Sequence, residues 1–536
     1  MSVPATFHAS VPDAFHVYDT TLRDGAQGEG MALTVADKLA IAQHLDDLGV
    51  GFIEGGWPGA LPKDTEFFRR ARGELKFKHA TLAAFGATRK AGVKAADDPQ
   101  VAALRDSEAP VVCLVAKSHD RHVFEALRTT LDENLAMIRD TVVHLRGEGR
   151  RVFVDAEHFF DGYKSNPAYA VECVRVAAEA GADVVVLCDT NGGMLPTQLQ
   201  DVVHDVLQGS GARLGIHCHD DTGCAVANSL AAVDAGVTHV QGVVNGYGER
   251  CGNANLITVV ANLELKTGRI VLPENRLQEL GRVSHAVAEI ANQPPRAHQP
   301  YVGLSAFAHK AGLHASAIKV APGLYQHIEP ARVGNDMRML VSEMAGRASV
   351  ELKSKALGFD LSENKAVIGR VVERVKDLEA KGFMFEAADA SFELLLRREL
   401  DEVSRYFELE SWRVIIEHRA DGAVVSEATV KVLVKGERIV STAEGNGPVN
   451  ALDKALRLAL ERLYPELGQL ELVDYKVRIL DGSHGTGAVT RVLIETSDGK
   501  TEWTTLGVDG NIIGASWQAM EDAYTFGLLR QHAAQA

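Results

Sequence analysis

In the stretch "RLGIHCHDDTGCAVANSLAAVDAG", His217 and His219 stand two positions apart at the end of a short apolar run. Alternate residues of a β-strand face the same way, so both imidazoles can aim at one point. Oxygen donors to join them stand elsewhere in the chain: Asp24 in "YDTTLRDGAQGEG" and Asn253 in "NGYGERCGNANL". Two imidazoles, a carboxylate and an amide oxygen suit a divalent ion (Zn²⁺, Mn²⁺ or Mg²⁺) with positions left open for substrate. Arg23, beside Asp24, fits recognition of a 2-keto acid. The metal takes the keto and carboxylate oxygens, and the guanidinium polarises the developing alkoxide. Glu54, closing the run "GFIEGG", is placed to orient Arg23.

These residues lie far apart in the chain, so the fold must gather them. Eight strand-like runs recur through the first half: "FHVYDT", "GFIEGG", "FKHATLAAF", "PVVCLVA", "RVFVDAE", "DVVVLCDT", "RLGIHCHD" and "THVQGVV". Helical patterns such as "TVADKLAIAQHLDDLG" separate them. Near-continuous apolar strands alternating with amphipathic helices predict a parallel sheet covered by helices. Eight such units in about 250 residues predict a (β/α)8 TIM barrel. A doubly wound open sheet is the alternative, but no G-x-G-x-x-G follows the first strand.

Active sites of barrels lie at the C-terminal strand ends, and the polar residues collect there. Asp19, Arg23 and Asp24 follow the first strand, and Glu54 ends the second. Asp155 and Glu157 end the fifth, Asp189 and Thr190 the sixth, and His217 and His219 the seventh. Asn245, Glu249 and Asn253 follow the eighth. In a closed barrel the first, seventh and eighth strands adjoin, which brings Asp24 and Asn253 towards the histidines.

With 536 residues the chain is too long for one core. The barrel is expected over residues 1–276 and a mainly helical segment over 277–406, with an irregular "NQPPRAHQPYVG" inside it. An α+β domain is expected over 407–536, where "GERIVSTAEGNGPVNALDKAL" resembles "GKTEWTTLGVDGNIIGASWQAM". Each copy reads as a turn, a strand, a Gly loop and a helix, and the helix starts suit a small anionic ligand.

The formal charge of −16 and the lack of a basic run argue against nucleic acid or a membrane surface as partner. No apolar stretch approaches the ~18–20 residues of a membrane span. Six scattered cysteines without a C-x-x-C pair read as reduced thiols of a cytoplasmic protein. "MSVPATFHASVPDAF" lacks the basic and apolar regions of a signal peptide.

Taken together, "YDTTLRDGAQGEG", "IEGGWPG", "DAEHFFDGYKSNP", "LCDTNGG", "GIHCHDDTGCAVANSLAAVDAG", "NGYGERCGNANL" and "FAHKAGLHASAI" resemble the 2-isopropylmalate synthase superfamily of acyl-CoA-dependent TIM-barrel metalloenzymes. "DGAQGEG" and "EHFFDGYK" are more similar to its citramalate synthase branch. The resemblance implies that Asp24, His217 and His219 ligate the metal, with Asn253 a fourth. It makes Arg23, held by Glu54, the keto-acid-binding and electrophilic residue, and it has Thr190 bond the substrate carboxylate. Glu157 and His314 match positions used in proton transfer, and Tyr325 falls near a position that contacts acyl-CoA or its base. Many relatives carry an acid two residues after His314, where this chain has Ser316.

The reaction so implied joins acetyl-CoA to pyruvate in the route to isoleucine. A base, His314 oriented by Glu157, removes a methyl proton, the enolate carbon attacks the ketone, and water cleaves the thioester. The alternatives are 2-isopropylmalate synthase acting on 2-ketoisovalerate, homocitrate synthase, a hydroxyacyl-CoA lyase, and a non-catalytic amino-acid sensor. Extra methyl groups change binding by roughly 1–3 kcal/mol each, and Phe85, near the end of the third strand, is the candidate to narrow the pocket. The resemblance further implies a homodimer joined partly through the C-terminal domains and inhibited by isoleucine. Leucine is the alternative effector if the substrate is the larger keto acid, and dimerisation alone is the alternative role of these domains.

Overall fold

The structure, a computed structural model, describes residues 14–480, 485 and 487–535. Most of the stretch read for a signal peptide, residues 1–13, lies outside them. The eight apolar runs form eight parallel strands closed in sequence order. They are β1 (His16–Asp19), β2 (Phe52–Glu54), β3 (Thr81–Ala87), β4 (Val111–Lys117), β5 (Arg151–Glu157), β6 (Val184–Asp189), β7 (Leu214–Cys218) and β8 (His239–Gly242). β8 closes onto β1 with Gln241 opposite Tyr18. The covering helices are α1 (Val35–Leu48), α2 (Pro62–Glu74), α3 (Pro99–Asp106), α4 (Leu131–Gly147), α5 (Pro167–Glu179), α6 (Pro196–Ser210), α7 (Ala225–Asp234) and α8 (Leu256–Lys266).

Local chemistry sets where these helices begin and end. At the start of α1, Thr34 Oγ1 accepts from Asp37 N at 3.2 Å, and Asp37 accepts from Thr34 N at 2.7 Å. This capping box satisfies two otherwise orphaned donors. The helix stops at Gly49, where φ is +92° and an added Cβ would meet Pro273 Cδ at 2.5 Å. Both the left-handed turn and the lack of space require glycine there.

The barrel holds two apolar layers. Leu45, Phe67, Val154, Leu187, Ile216 and Val259 pack between strands and helices. Tyr18, Phe52, Phe153, Val186 and Cys188 fill the interior. Phe52 and Phe153 meet edge to face with ring centroids 5.2 Å apart, and the His16 and His239 rings approach to 3.2 Å. This apolar floor excludes water from the barrel's depth and leaves the polar chemistry to its C-terminal mouth.

A helix, α9 (Leu280–Ile290), follows, after which the chain runs to Phe307 without helix or strand. The chain divides into two compact units, the first reaching Phe307 and including Ile328–Asp336, the second formed by Ala308–His327 and the chain from Met337 onward. The second unit contains a short parallel pair, β9 (Ala308–His309) and β10 (Arg338–Met339). Before its C-terminal repeat it has the helices α10 (Gly312–Val320), α11 (Arg347–Ala356), α12 (Lys365–Ala380) and α13 (Asp389–Glu399).

The C-terminal repeat is larger than the sequence indicates. One copy is β11 (Phe407–His418), β12 (Val424–Val434), β13 (Glu437–Gly445) and α14 (Pro448–Leu460). The other is β14 (Glu471–Ile479), β15 (Thr490–Ser497), β16 (Glu502–Asp509) and α15 (Ile512–Gln535). Each is a three-stranded antiparallel sheet followed by a helix. β11 and β14 are irregular at matching places, between Leu409 and Ser411 and between Leu472 and Asp474. Among the described residues no helix is long and apolar enough to cross a membrane, and all six cysteines are free.

One buried ion pair ties the outer helices to the site. Lys38 of α1 pairs with Asp64 of α2, each only 2% exposed. Lys38 also donates to the Gly55 carbonyl at 3.1 Å, and Asp64 accepts from Trp57 N at 2.8 Å, which fixes the loop after β2. Removing one partner of such a pair strands the other charge in the core, at about 3–5 kcal/mol. Asp64→Ala should therefore lower the denaturation midpoint of the barrel substantially, as followed by circular dichroism in urea. A wild-type midpoint would show that the pair contributes nothing.

Candidate active site

A cavity of about 840 Å³ opens at the C-terminal mouth, with Arg23, Asp24, Phe85, Thr190, His217 and His219 among its walls. Asp24, His217 and His219 each bring a donor atom within 4.8 Å of the others, and all three are buried. His217 Nε2 lies 3.3 Å and His219 Nε2 3.9 Å from Asp24 Oδ2. Asn253 donates from Nδ2 to the Tyr247 carbonyl at 3.1 Å and to Asp24 Oδ1 at 3.3 Å. Its amide oxygen is left buried with no partner. An unsatisfied buried acceptor costs roughly 1–3 kcal/mol, which coordination of a cation would offset. Gly248, at φ +140°, permits this seat, because an added Cβ would stand 2.3 Å from Asn253 Nδ2. The donor set fits a divalent cation.

A second group of donors, Glu54, Cys113 and Asp155, also falls within 4.8 Å. Here the protein already supplies the partners. Tyr18 and Arg23 donate to the two Glu54 oxygens at 2.7 and 2.6 Å. Cys113 and Gln241 donate to Asp155 Oδ1 at 3.2 and 2.9 Å. This group is a closed hydrogen-bonded layer, and Asp155 is its member on the cavity wall.

Arg23 is held on three sides. Its Nε donates to Glu54, its Nη1 donates to Asp24 at 3.1 Å, and its guanidinium carbon sits 3.9 Å above the Phe85 ring. Trp57 braces Phe85 edge-on at 5.3 Å and donates from Nε1 to Gln100 at 2.8 Å. Burial disfavours the Arg23 cation, but Glu54 and Asp24 outweigh it and keep the group charged. Burial likewise works against an ionised Asp24, yet Arg23 and the two histidines hold it well below the usual carboxylate range. Burial pushes Glu54 and Asp155 up. Burial and the neighbouring His217 drive His219 down to about 4, so its ring is neutral near pH 7 with a lone pair to offer.

The remaining sequence candidates divide between the units. Thr190 Oγ1 accepts from His158 N at 2.8 Å, and Glu157 pairs with Lys117; both line the cavity, as does Phe85. His314, on α10 of the second unit, stacks on Tyr325 with centroids 4.1 Å apart. Ser316 donates to the Gly312 carbonyl of the same helix at 2.9 Å.

Several polar residues at strand ends serve loops instead. Asp19 accepts from Thr21 N and Oγ1 at 2.9 and 2.8 Å, and Asp189 accepts from Gly193 N and Met194 N, both at 3.1 Å. Asn245 is bound to Ser284 and Gln299. Sequence reasoning passed over Tyr18, Trp57, Lys117 and Gln241. The signal for Gln241 was a lone amide inside the apolar run "THVQGVV".

The HMGL-like family model matches residues 14–287. A homocitrate synthase post-HMGL domain-like model matches 301–382, and a LeuA allosteric (dimerisation) domain matches 386–528. The (R)-citramalate synthase of Streptomyces coelicolor is 70% identical over 532 residues, covering 99% of this chain and 100% of that one. The (R)-citramalate synthase of Aquifex aeolicus is 48% identical over 517 residues, covering 96% and 98%. The 2-isopropylmalate synthase of Methanocaldococcus jannaschii is 30% identical over 525 residues, covering 96% and 94%.

Each donor of the buried cluster should count in a direct metal titration. His217→Ala removes a ligand atom and Asp24→Asn removes the carboxylate charge from a preformed site, so Mn²⁺ should bind more weakly while the circular dichroism spectrum stays that of the wild type. Wild-type Mn²⁺ affinity in both variants would remove the cluster from consideration as a metal centre.

Proposed function

Because the chain belongs to the (R)-citramalate synthase family of HMGL-like proteins, we propose that its barrel condenses acetyl-CoA with pyruvate and water to give (R)-citramalate and CoA. The observation that carries this reading is Arg23, locked by Glu54 and Phe85 beside the Asp24–His217–His219 cluster in one cavity. Asp24, His217, His219 and Asn253 would hold a divalent ion, Mg²⁺, Mn²⁺ or Zn²⁺. Such an ion acts as a Lewis acid on the keto acid and orients it.

The chain's own residues do the rest. Arg23 donates to the ketone oxygen and stabilises the negative charge that grows there, and Glu54 keeps the guanidinium aimed. Thr190 bonds the pyruvate carboxylate. His314 takes the proton from the acetyl methyl, with Tyr325 beside it, and Glu157 serves proton transfer. The enolate carbon attacks C2 of pyruvate, the alkoxide so formed is protonated, and water then cleaves the thioester to release CoA and the new carboxylate. Phe85 limits the keto acid's side chain, which favours pyruvate over 2-ketoisovalerate.

We assign the catalytic barrel to residues 1–276, a mainly helical connection that carries His314 and Tyr325 to 277–406, and regulation to 407–536. The exposed apolar residues Ile415, Ile416, Val477 and Ile479 on β11 and β14 support pairing of two chains through that region. The six free cysteines support a reducing, cytoplasmic setting. The two strand–Gly loop–helix units, at "GNGPVNAL" and "VDGNIIGA", support binding of an amino acid, isoleucine in this route.

A thiol-release assay of CoA tests the chemistry. Pyruvate should give the highest kcat/KM in a panel of keto acids, and a clear preference for 2-ketoisovalerate would move the assignment to 2-isopropylmalate synthase. Calorimetric titration of the full chain tests the regulation. Isoleucine should bind more tightly than leucine or valine, and no binding of any of them would leave dimerisation as the role of the C-terminal region.

A further inference from the structure

We infer that Gln241 and Asp155 are positioning residues that set the tautomer of His217 and so aim its lone pair at the cation site. The inference rests on the reading that Asp24, His217 and His219 hold a metal. His217 Nδ1 lies 2.9 Å from the side-chain amide of Gln241. The other end of that amide lies 2.9 Å from Asp155 Oδ1, which also accepts from the Cys113 thiol at 3.2 Å. Asp155 Oδ1 accepts from both Cys113 and Gln241, so the Gln241 nitrogen faces Asp155 and its oxygen faces His217. An amide oxygen only accepts, so Nδ1 of His217 carries the proton. The lone pair of the neutral ring is then on Nε2, the atom 3.3 Å from Asp24.

Burial makes the relay decisive. His217 and Asp155 are each 4% exposed and Gln241 is 0% exposed, so water has little access to replace a missing partner. The relay crosses the barrel interior, from β7 through β8 to β5, and its far end is anchored to β4 by Cys113. His219 has no such device: its Nδ1 is buried without a hydrogen-bond partner. One ligand is therefore pre-aimed, and the other gains its fixed geometry only from the cation. Partners behind a ligating histidine typically contribute 10–100-fold to metal affinity.

The test is a Mn²⁺ titration of the chelator-stripped full-length protein, with free Mn²⁺ read by electron paramagnetic resonance. Gln241→Leu removes the acceptor at similar volume and should raise the Kd for Mn²⁺ by roughly 10–100-fold. The double variant Gln241→Glu with Asp155→Asn reverses the hydrogen bond between positions 241 and 155 at constant net charge and leaves His217 with an acceptor. Its carboxylate accepts from His217 and from the new amide, so its Kd should return to within a few-fold of the wild type. A purely structural role would lower the melting temperature of Gln241→Leu and leave the Kd unchanged, and that result overturns the inference, as does a folded double variant that binds weakly. His217→Ala separates the two levels. If it loses Mn²⁺ while Gln241→Leu does not, the relay is idle; if it binds as the wild type does, the metal reading itself fails. ¹⁵N-histidine spectra of the wild type need no variant: His217 should be protonated at Nδ1, and the opposite tautomer would refute the relay.

Discussion

The organising constraint of this barrel is a guanidinium that must stay charged with little water around it. The Arg23 side chain is only 13% exposed, and Glu54, which neutralises it, is not exposed at all. A buried charge is tolerable only when paired and hydrogen-bonded. Glu54 meets that condition by binding Arg23 with one oxygen and Tyr18 with the other. Because Glu54 balances Arg23, the charge on Asp24 is left over for something else in the same cavity. The structure thus builds an excess negative charge beside two imidazoles, which is the electrostatic requirement of a cation site.

The apolar floor below makes these interactions strong. Phe52, Phe153 and the His16–His239 contact close the barrel's depth, so the charges above them sit against a low dielectric on one side. Removing water raises both the value of a satisfied pair and the cost of an unsatisfied one. Burial disfavours charge throughout this site: Arg23 and Asp24 stay ionised because their charged partners outweigh it, while burial pushes Glu54 and Asp155 up.

The fold was largely legible in the chain because strand and helix periods are local. The His217–His219 spacing states its own geometry, and the neighbourhood of Asp24 and Asn253 follows from strand order in a closed barrel. Asp19, Asp189 and Asn245 were ambiguous for a physical reason: a polar residue at a strand end can face a substrate or hold a turn, and composition does not separate the two. Gln241 was illegible because its meaning lies in Asp155, 86 residues away, and in a pairing across the barrel interior. The C-terminal repeat was half visible. Its strand–Gly loop–helix halves align by sequence, whereas β11 and β14 match in register and bulge position, which only the backbone displays.

Phe85 couples two properties that are usually separable. Its ring supports the Arg23 guanidinium at 3.9 Å and also forms part of the cavity wall. A cation–π contact in such a desolvated place is worth about 2 kcal/mol, comparable to the roughly 1–3 kcal/mol by which one methyl group of a substrate is discriminated. Enlarging the cavity at this residue would therefore release the arginine by about as much as it favoured a bulkier keto acid. Trp57 bears on Arg23 through Phe85 and is itself held by Gln100 and the loop that Asp64 anchors. The ring that faces the cavity is therefore held from behind by Trp57, so the position of the guanidinium depends on the loop after β2 as well as on Glu54.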